Sequence, residues 1–137
     1  MTWLLLSLIG TVLLGSMILC FKKLSLSGVP PEIMLFWLFS LGALLAGGQL
    51  IATRQSPRLG WSAFALMVAA TVLSYIGNLL YIKAVGLAPN PGYPAAIEGC
   101  KAVLIAIAAV CLFGSEFTIM KGVGVLLCVA GVCLIAR

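Results

Sequence analysis

The sequence has no histidine and no aspartate, and only three acids and eight bases carry charge among its 137 residues. These absences exclude a good deal. No charge-relay triad can be assembled, and neither a nucleophile elbow nor a phosphate-binding loop is present. An enzyme would have to work with Glu98, Lys101 and a few hydroxyls, so the chain is read as a non-enzyme. The five cysteines (Cys20, Cys100, Cys111, Cys128 and Cys133) show no CxxC spacing, and no histidine is there to complete a common zinc site. Each lies in an apolar stretch, where a thiol behaves as a small hydrophobe. No metal and no cofactor is expected.

The shortage of charge also decides the class. Hydrophobic residues make up 64% of the chain and charged ones 8%, against roughly 45–50% and about 25% in soluble domains. A soluble fold of this size needs a polar skin that eleven charges cannot supply. A bilayer removes that need, because about 20 mostly apolar residues cross its core of roughly 30 Å as a helix. The expected fold class is therefore all-α: an integral membrane bundle with the lipid bilayer as its solvent. The net charge of +5 comes from bases scattered singly or in pairs at the ends of apolar stretches. That is the placement of interfacial anchors, so nucleic acid is not an expected partner.

Five apolar stretches follow from cuts at charges and at Gly/Pro clusters: about 3–21, 33–52, 61–82, 95–113 and 117–136, together a single transmembrane domain over 1–137. Each is long enough to span, at about 28–33 Å. Lys22, Lys23, Gly28, Pro30, Pro31 and Glu32 make the first polar connection, and Arg54, Pro57, Arg58 and Gly60 the second. Lys83 opens a long third connection containing Pro89, Asn90, Pro91, Gly92 and Pro94. Gly114-Ser115-Glu116 is a turn so short that the last two helices must be antiparallel neighbours. The fifth stretch is the weakest, because it contains Lys121, whose ammonium has to snorkel to the near interface. No base precedes Lys22, and Leu19 rather than a small residue precedes Cys20, so the first stretch is expected to stay as an uncleaved span.

An odd number of spans puts Arg54, Arg58 and Lys121 on one side and Lys22, Lys23, Lys83 and Arg137 on the other. The near balance is either the mark of a chain that inserts both ways and pairs antiparallel, or the ordinary scatter of a short chain.

Three constellations stand out inside the apolar stretches. Glu98 and Lys101 are three apart and share a helix face. An ionisable group in a membrane costs at least about 2.5 kcal/mol, which makes the pair a candidate substrate-binding or proton site. Its rival reading is an interfacial ion pair, since the two lie only about 5 and 9 Å in from Ala95. Thr71, Ser74, Asn78 and Tyr81 fall on one face of the third stretch, bordered by Tyr75. That stripe is either the wall of a substrate cavity or a set of helix–helix hydrogen bonds. A weaker stripe, Ser7, Thr11 and Gly15, marks the first stretch. Gly124, Cys128 and Gly131 form a small-residue ridge for close helix packing, within the chain or at a dimer interface.

The second half of the chain carries a resemblance. Gly86-Leu87-Ala88-Pro89 through Ala95-Ala96, then Leu112 through Thr118, then Gly122 and Gly124 through Ile135 resemble the C-terminal part of an EamA-type repeat of the drug/metabolite transporter superfamily. Glu116 matches the acid of the short turn, and Gly124, Gly131 and Val132 match the closing helix. The last helix also resembles that of the small multidrug resistance proteins, although their first-helix glutamate has no counterpart around Leu13-Leu14-Gly15-Ser16. The resemblance implies a multi-pass protein of the cell (inner) membrane that moves a small-molecule substrate by alternating access. Superfamily members commonly have two five-span repeats of opposite orientation, so this chain resembles one repeat and a homodimer, antiparallel in the simplest case, is the expected unit. A Glu/Lys pair in the fourth stretch is not part of the resemblance; Glu98 is the candidate for proton coupling because that role needs a group that can lose its charge. Two other functions fit the residues: a scaffold or accessory subunit that binds through the Gly124/Gly131 ridge, and a flippase for a lipid-linked substrate.

Overall fold

In lipid a chain must satisfy its own backbone donors and acceptors, and a helix does so within each segment. The computed structural model describes residues 2–114 and 118–135, and among these every regular element is a helix. They are α1 (Thr2–Leu26), α2 (Pro31–Ala52), α3 (Trp61–Leu87), α4 (Gly92–Gly99), α5 (Lys101–Phe113) and α6 (Ile119–Ile135). The expected all-α class is the one found. Glu116 and Arg137 lie outside the described residues, as does the side chain of Lys121. Helices α1, α2 and α3 are each long and apolar enough to cross a membrane, and so is the run Gly92–Leu112, which joins α4 to α5. Helix α6 is shorter, at 17 residues.

The chain divides into two compact units, Met1–Leu87 and Ala88–Arg137. In the first, α1, α2 and α3 pack on one another. Among the described residues the buried apolar side chains are Phe21, Met34, Leu35, Ile82 and Val85, with Met17, Val29, Leu38 and Leu79 packed against them. The buried five lie within about five residues of one end of each helix, a band roughly 8 Å deep in helices of about 33–40 Å.

Local sequence explains the link at that end. Helix α1 does not stop at Lys22 as the polar connection suggested; it runs on to Leu26. Gly28 then turns left-handed at φ 79. Its N–H donates to Ser25 O at 3.0 Å, and the Val29 N–H donates to Leu24 O at 3.1 Å, the paired bonds of a Schellman cap. Pro31 starts α2, at the position where a missing N–H costs nothing. Helix α2 ends with the same two bonds, Arg54 N–H to Ile51 O and Gln55 N–H to Leu50 O, each 3.1 Å. Here Arg54 is the left-handed residue, at φ 53. No glycine advertises that cap.

The crossing of α1 and α3 is close. A Cβ on Gly86 would sit 2.5 Å from Ser25 Oγ and 3.6 Å from Ser25 Cβ. Beside it, the Lys22 ammonium donates to Val85 O at 3.2 Å and to Gly86 O at 3.0 Å. These carbonyls belong to the last turn of α3, where intrahelical donors run out.

In the second unit α4 and α5 meet at Cys100, whose backbone stays in the helical region (φ −64, ψ −14). The Cys100 N–H donates to Ile97 O and the Val103 N–H to Cys100 O, both at 3.0 Å. These i→i+3 bonds tighten the helix locally to a 3₁₀ turn. Pro94, expected within a connection, lies in the first turn of α4, where proline removes no intrahelical bond. Gly114 caps α5 at φ 61, and α6 packs on α4. Since α5 lies between α4 and α6 in the chain, α6 must run back along it to reach α4; residues 115–117 of the expected turn lie outside the described residues.

The Gly86–Ser25 contact sets a double-mutant test. Gly86→Ala should destabilise the protein by about 1 kcal/mol in denaturant titrations in micelles. In a Ser25→Ala background the same change should cost much less, because the hydroxyl it collides with is gone. Equal costs in both backgrounds would mean that α1 and α3 do not meet at this point.

Candidate functional site

The polar stripe on α3 is made of side chains that mostly serve their own helix. The Thr71 hydroxyl donates to Met67 O at 2.8 Å. The Asn78 amide donates to Ser74 O at 2.8 Å and to Ser74 Oγ at 3.2 Å. Ser7 and Thr11 of the weaker α1 stripe do the same, each donating at 2.8 Å to the carbonyl four residues back. A hydroxyl bonded in this way has no unmet donor, so it can face lipid, protein or water. The energetic demand for a partner helix or a wet cavity is therefore weaker than the side-chain inventory suggests. Thr71, Ser74 and Tyr75 are exposed, whereas Asn78 and Tyr81 are half-buried as α3 nears the core band. The Tyr75 ring lies 6.4 Å from that of Phe39 on α2, a tilted aromatic contact.

Glu98 and Lys101 present a different case, because no backbone group can neutralise a full charge. The Lys101 ammonium is ion-paired with Glu98 Oε1. The pair straddles Cys100, and in a 3₁₀ turn residues i and i+3 eclipse, which sets the two side chains over each other. Helix α4 starts at Gly92, three residues before the expected Ala95. Measured from there, Glu98 lies about 9 Å along the span and Lys101 about 14 Å, in a run of about 32 Å. Both side chains are exposed in the isolated chain.

The stripe belongs to the first unit and the charged pair to the second. Within the second unit, a Cβ on Gly124 or Gly131 would meet nothing within 4 Å among the described residues, and Cys128 is exposed. The ridge is thus an open surface on α6.

Sequence reasoning passed over a second polar cluster. Glu32, in the first turn of α2, is ion-paired with Lys83 of α3 at 3.1 Å. With Lys22 on the α3 carbonyls, it ties all three helices of the first unit together at one end. An open cleft of about 350 Å³ lies there, lined by Ser25, Glu32, Ile82, Lys83, Gly86 and their neighbours. The charges had been visible only as orientation signals, and nothing local to Glu32 or Lys83 announces that they meet. Among the described residues no cluster of side chains is suited to hold a metal ion.

Compared with known proteins, the chain matches one family profile, described as EamA: EamA-like transporter family, over residues 1–137. No curated protein and no solved structure matches it.

The Glu98–Lys101 pair lies in an apolar run long enough to span, where an unpaired charge costs at least about 2.5 kcal/mol. Glu98→Gln, which leaves Lys101 without its counter-charge, should therefore destabilise the protein in micelles more than Glu98→Gln/Lys101→Met, which removes both charges. Equal stabilities of the two variants would place the pair in water and not in the apolar interior.

Proposed function

We propose, taking as premise that this chain belongs to the EamA-like transporter family and is an integral membrane protein of a small-solute transporter family, that it moves its solute by alternating access as a homodimer. The observation that carries the mechanistic part is the Glu98–Lys101 pair inside the apolar run Gly92–Leu112. An isolated charge there costs at least about 2.5 kcal/mol, and a chain that only needed packing would use apolar residues in its place. The depth of the pair, about 9 and 14 Å along the span, favours a site facing a path over an interfacial anchor.

In this reading Glu98 holds a cationic group or a proton and Lys101 holds an anionic group. A zwitterionic solute can replace each residue's partner without leaving a bare charge behind. When the solute leaves, the two side chains close on each other again, and the adjacent 3₁₀ turn supplies the proximity. Proton coupling needs a group that can lose its charge, and Glu98 is that group. Thr71, Ser74, Asn78 and Tyr81, with Tyr75 at the border, supply a polar surface on which the Thr71 and Asn78 donors are already met within α3, so a passing solute can borrow those groups cheaply. Gly124, Cys128 and Gly131 give α6 an open ridge on which a second copy can pack closely. The nearly balanced basic residues suit an antiparallel pair in the cell (inner) membrane.

Two measurements test this. Glu98→Gln should abolish proton-driven uptake in reconstituted vesicles while the protein remains folded; unchanged uptake removes Glu98 from the mechanism. Single cysteines at Ser27→Cys and Ser56→Cys, in a background without native cysteines, should each label from both sides of intact cells. Labelling of each from one side only would rule out the antiparallel homodimer.

A further inference from the structure

We propose that the end of the first unit where α1, α2 and α3 meet is a rigid pivot, and that the far ends of these helices carry the movement. The inference rests on the alternating-access reading and adds to it where the motion is located.

Four kinds of contact converge at the pivot. The buried side chains Phe21, Met34, Leu35, Ile82 and Val85 all lie in that band. Lys22 holds the last carbonyls of α3, and Glu32 holds Lys83 at 3.1 Å. Ser25 lies against Gly86 so closely that a methyl group there would displace its hydroxyl. The link from α1 to α2 is only four residues, 27–30, clamped by the Gly28 cap and by Pro31.

The far ends are built differently. Among the described residues, a Cβ on Gly10, Gly47 or Gly48, in the far halves of α1 and α2, would meet nothing within 4 Å. Ile51 and Trp61, at the ends of α2 and α3, are 81% and 84% exposed. The link between those ends is eight residues, 53–60, twice as long as at the pivot. Residues 53–55 fold onto the end of α2, and the remaining five, 56–60, can extend over about 17–18 Å, too far to clamp α2 to α3. Packed interfaces resist continuous deformation, so a three-helix unit with one packed end turns about that end. Over helices of about 33 Å, a rotation of about 10° displaces the free ends by about 6 Å.

The test locks the pivot and watches the free ends. The Cβ positions of residues 25 and 86 are 3.6 Å apart, within the usual disulfide range of about 3.5–4.5 Å. A Ser25→Cys/Gly86→Cys disulfide is formed in a background without native cysteines. Nitroxides are carried on p-acetylphenylalanine at positions 7 and 56, and labelled chains are diluted with unlabelled ones in liposomes so that only distances within a chain are read. Pulsed electron resonance should show two distance populations whose ratio is the same with the disulfide closed or reduced. If closing the disulfide collapses the two populations into one, this end opens in the cycle and the pivot is overturned. A single population in both states overturns the alternating-access reading itself, and the pivot with it. Should the cysteine at position 86 impair folding, a short bismaleimide across Glu32→Cys/Lys83→Cys locks the same end and is read in the same way.

Discussion

The last carbonyls of α3 have no donors of their own, and Lys22 of α1 provides them. Much of the first unit depends on that meeting. For the ammonium to reach Val85 and Gly86, α1 must stay helical past its apolar run, and α1 and α3 must cross where one of them has no side chain. Gly86 carries no Cβ, and Ser25 fills the space that one would take. The crossing in turn brings the start of α2 beside the end of α3, where Glu32 meets Lys83. A hydrogen bond to a charged group contributes about 1.5–3 kcal/mol, more than an ordinary one. That weight matters here, because helices in lipid gain little from hiding apolar surface that the acyl chains already solvate.

The same lack of a hydrophobic drive explains the rest of the unit. Away from the pivot the side chains are large, apolar and exposed, and the glycines have open faces. In water such a surface would collapse or aggregate; in a bilayer it is stable as it stands.

Hydroxyls and charges differ sharply in this setting. Thr71, Ser7 and Thr11 satisfy themselves on the preceding turn, so their presence costs little and says little about a partner. Glu98 and Lys101 cannot, and they answer one another across the tightened turn at Cys100. The charged pair therefore makes a stronger energetic demand on its surroundings than the longer polar stripe, although the stripe has more members.

How much of this could be read in advance divides along physical lines. The apolar runs determined the helices, since in lipid a long apolar segment has no other way to satisfy its backbone. They also determined the all-α class. The order of motifs from Gly86 to Ile135 pointed to the family that the whole chain matches. Helix ends were less legible: Gly28 signals the α1 cap, but Arg54 gives no sign that it turns left-handed, and Pro94 looks like a break although the first turn of α4 accepts it. The tertiary structure alone decided which charges meet. Lys22 and the carbonyls it holds are 63 and 64 residues apart in the chain, and periodicity, capping and composition act only over a few turns. A contact at that separation exists because three helices converge, and only their packing specifies where.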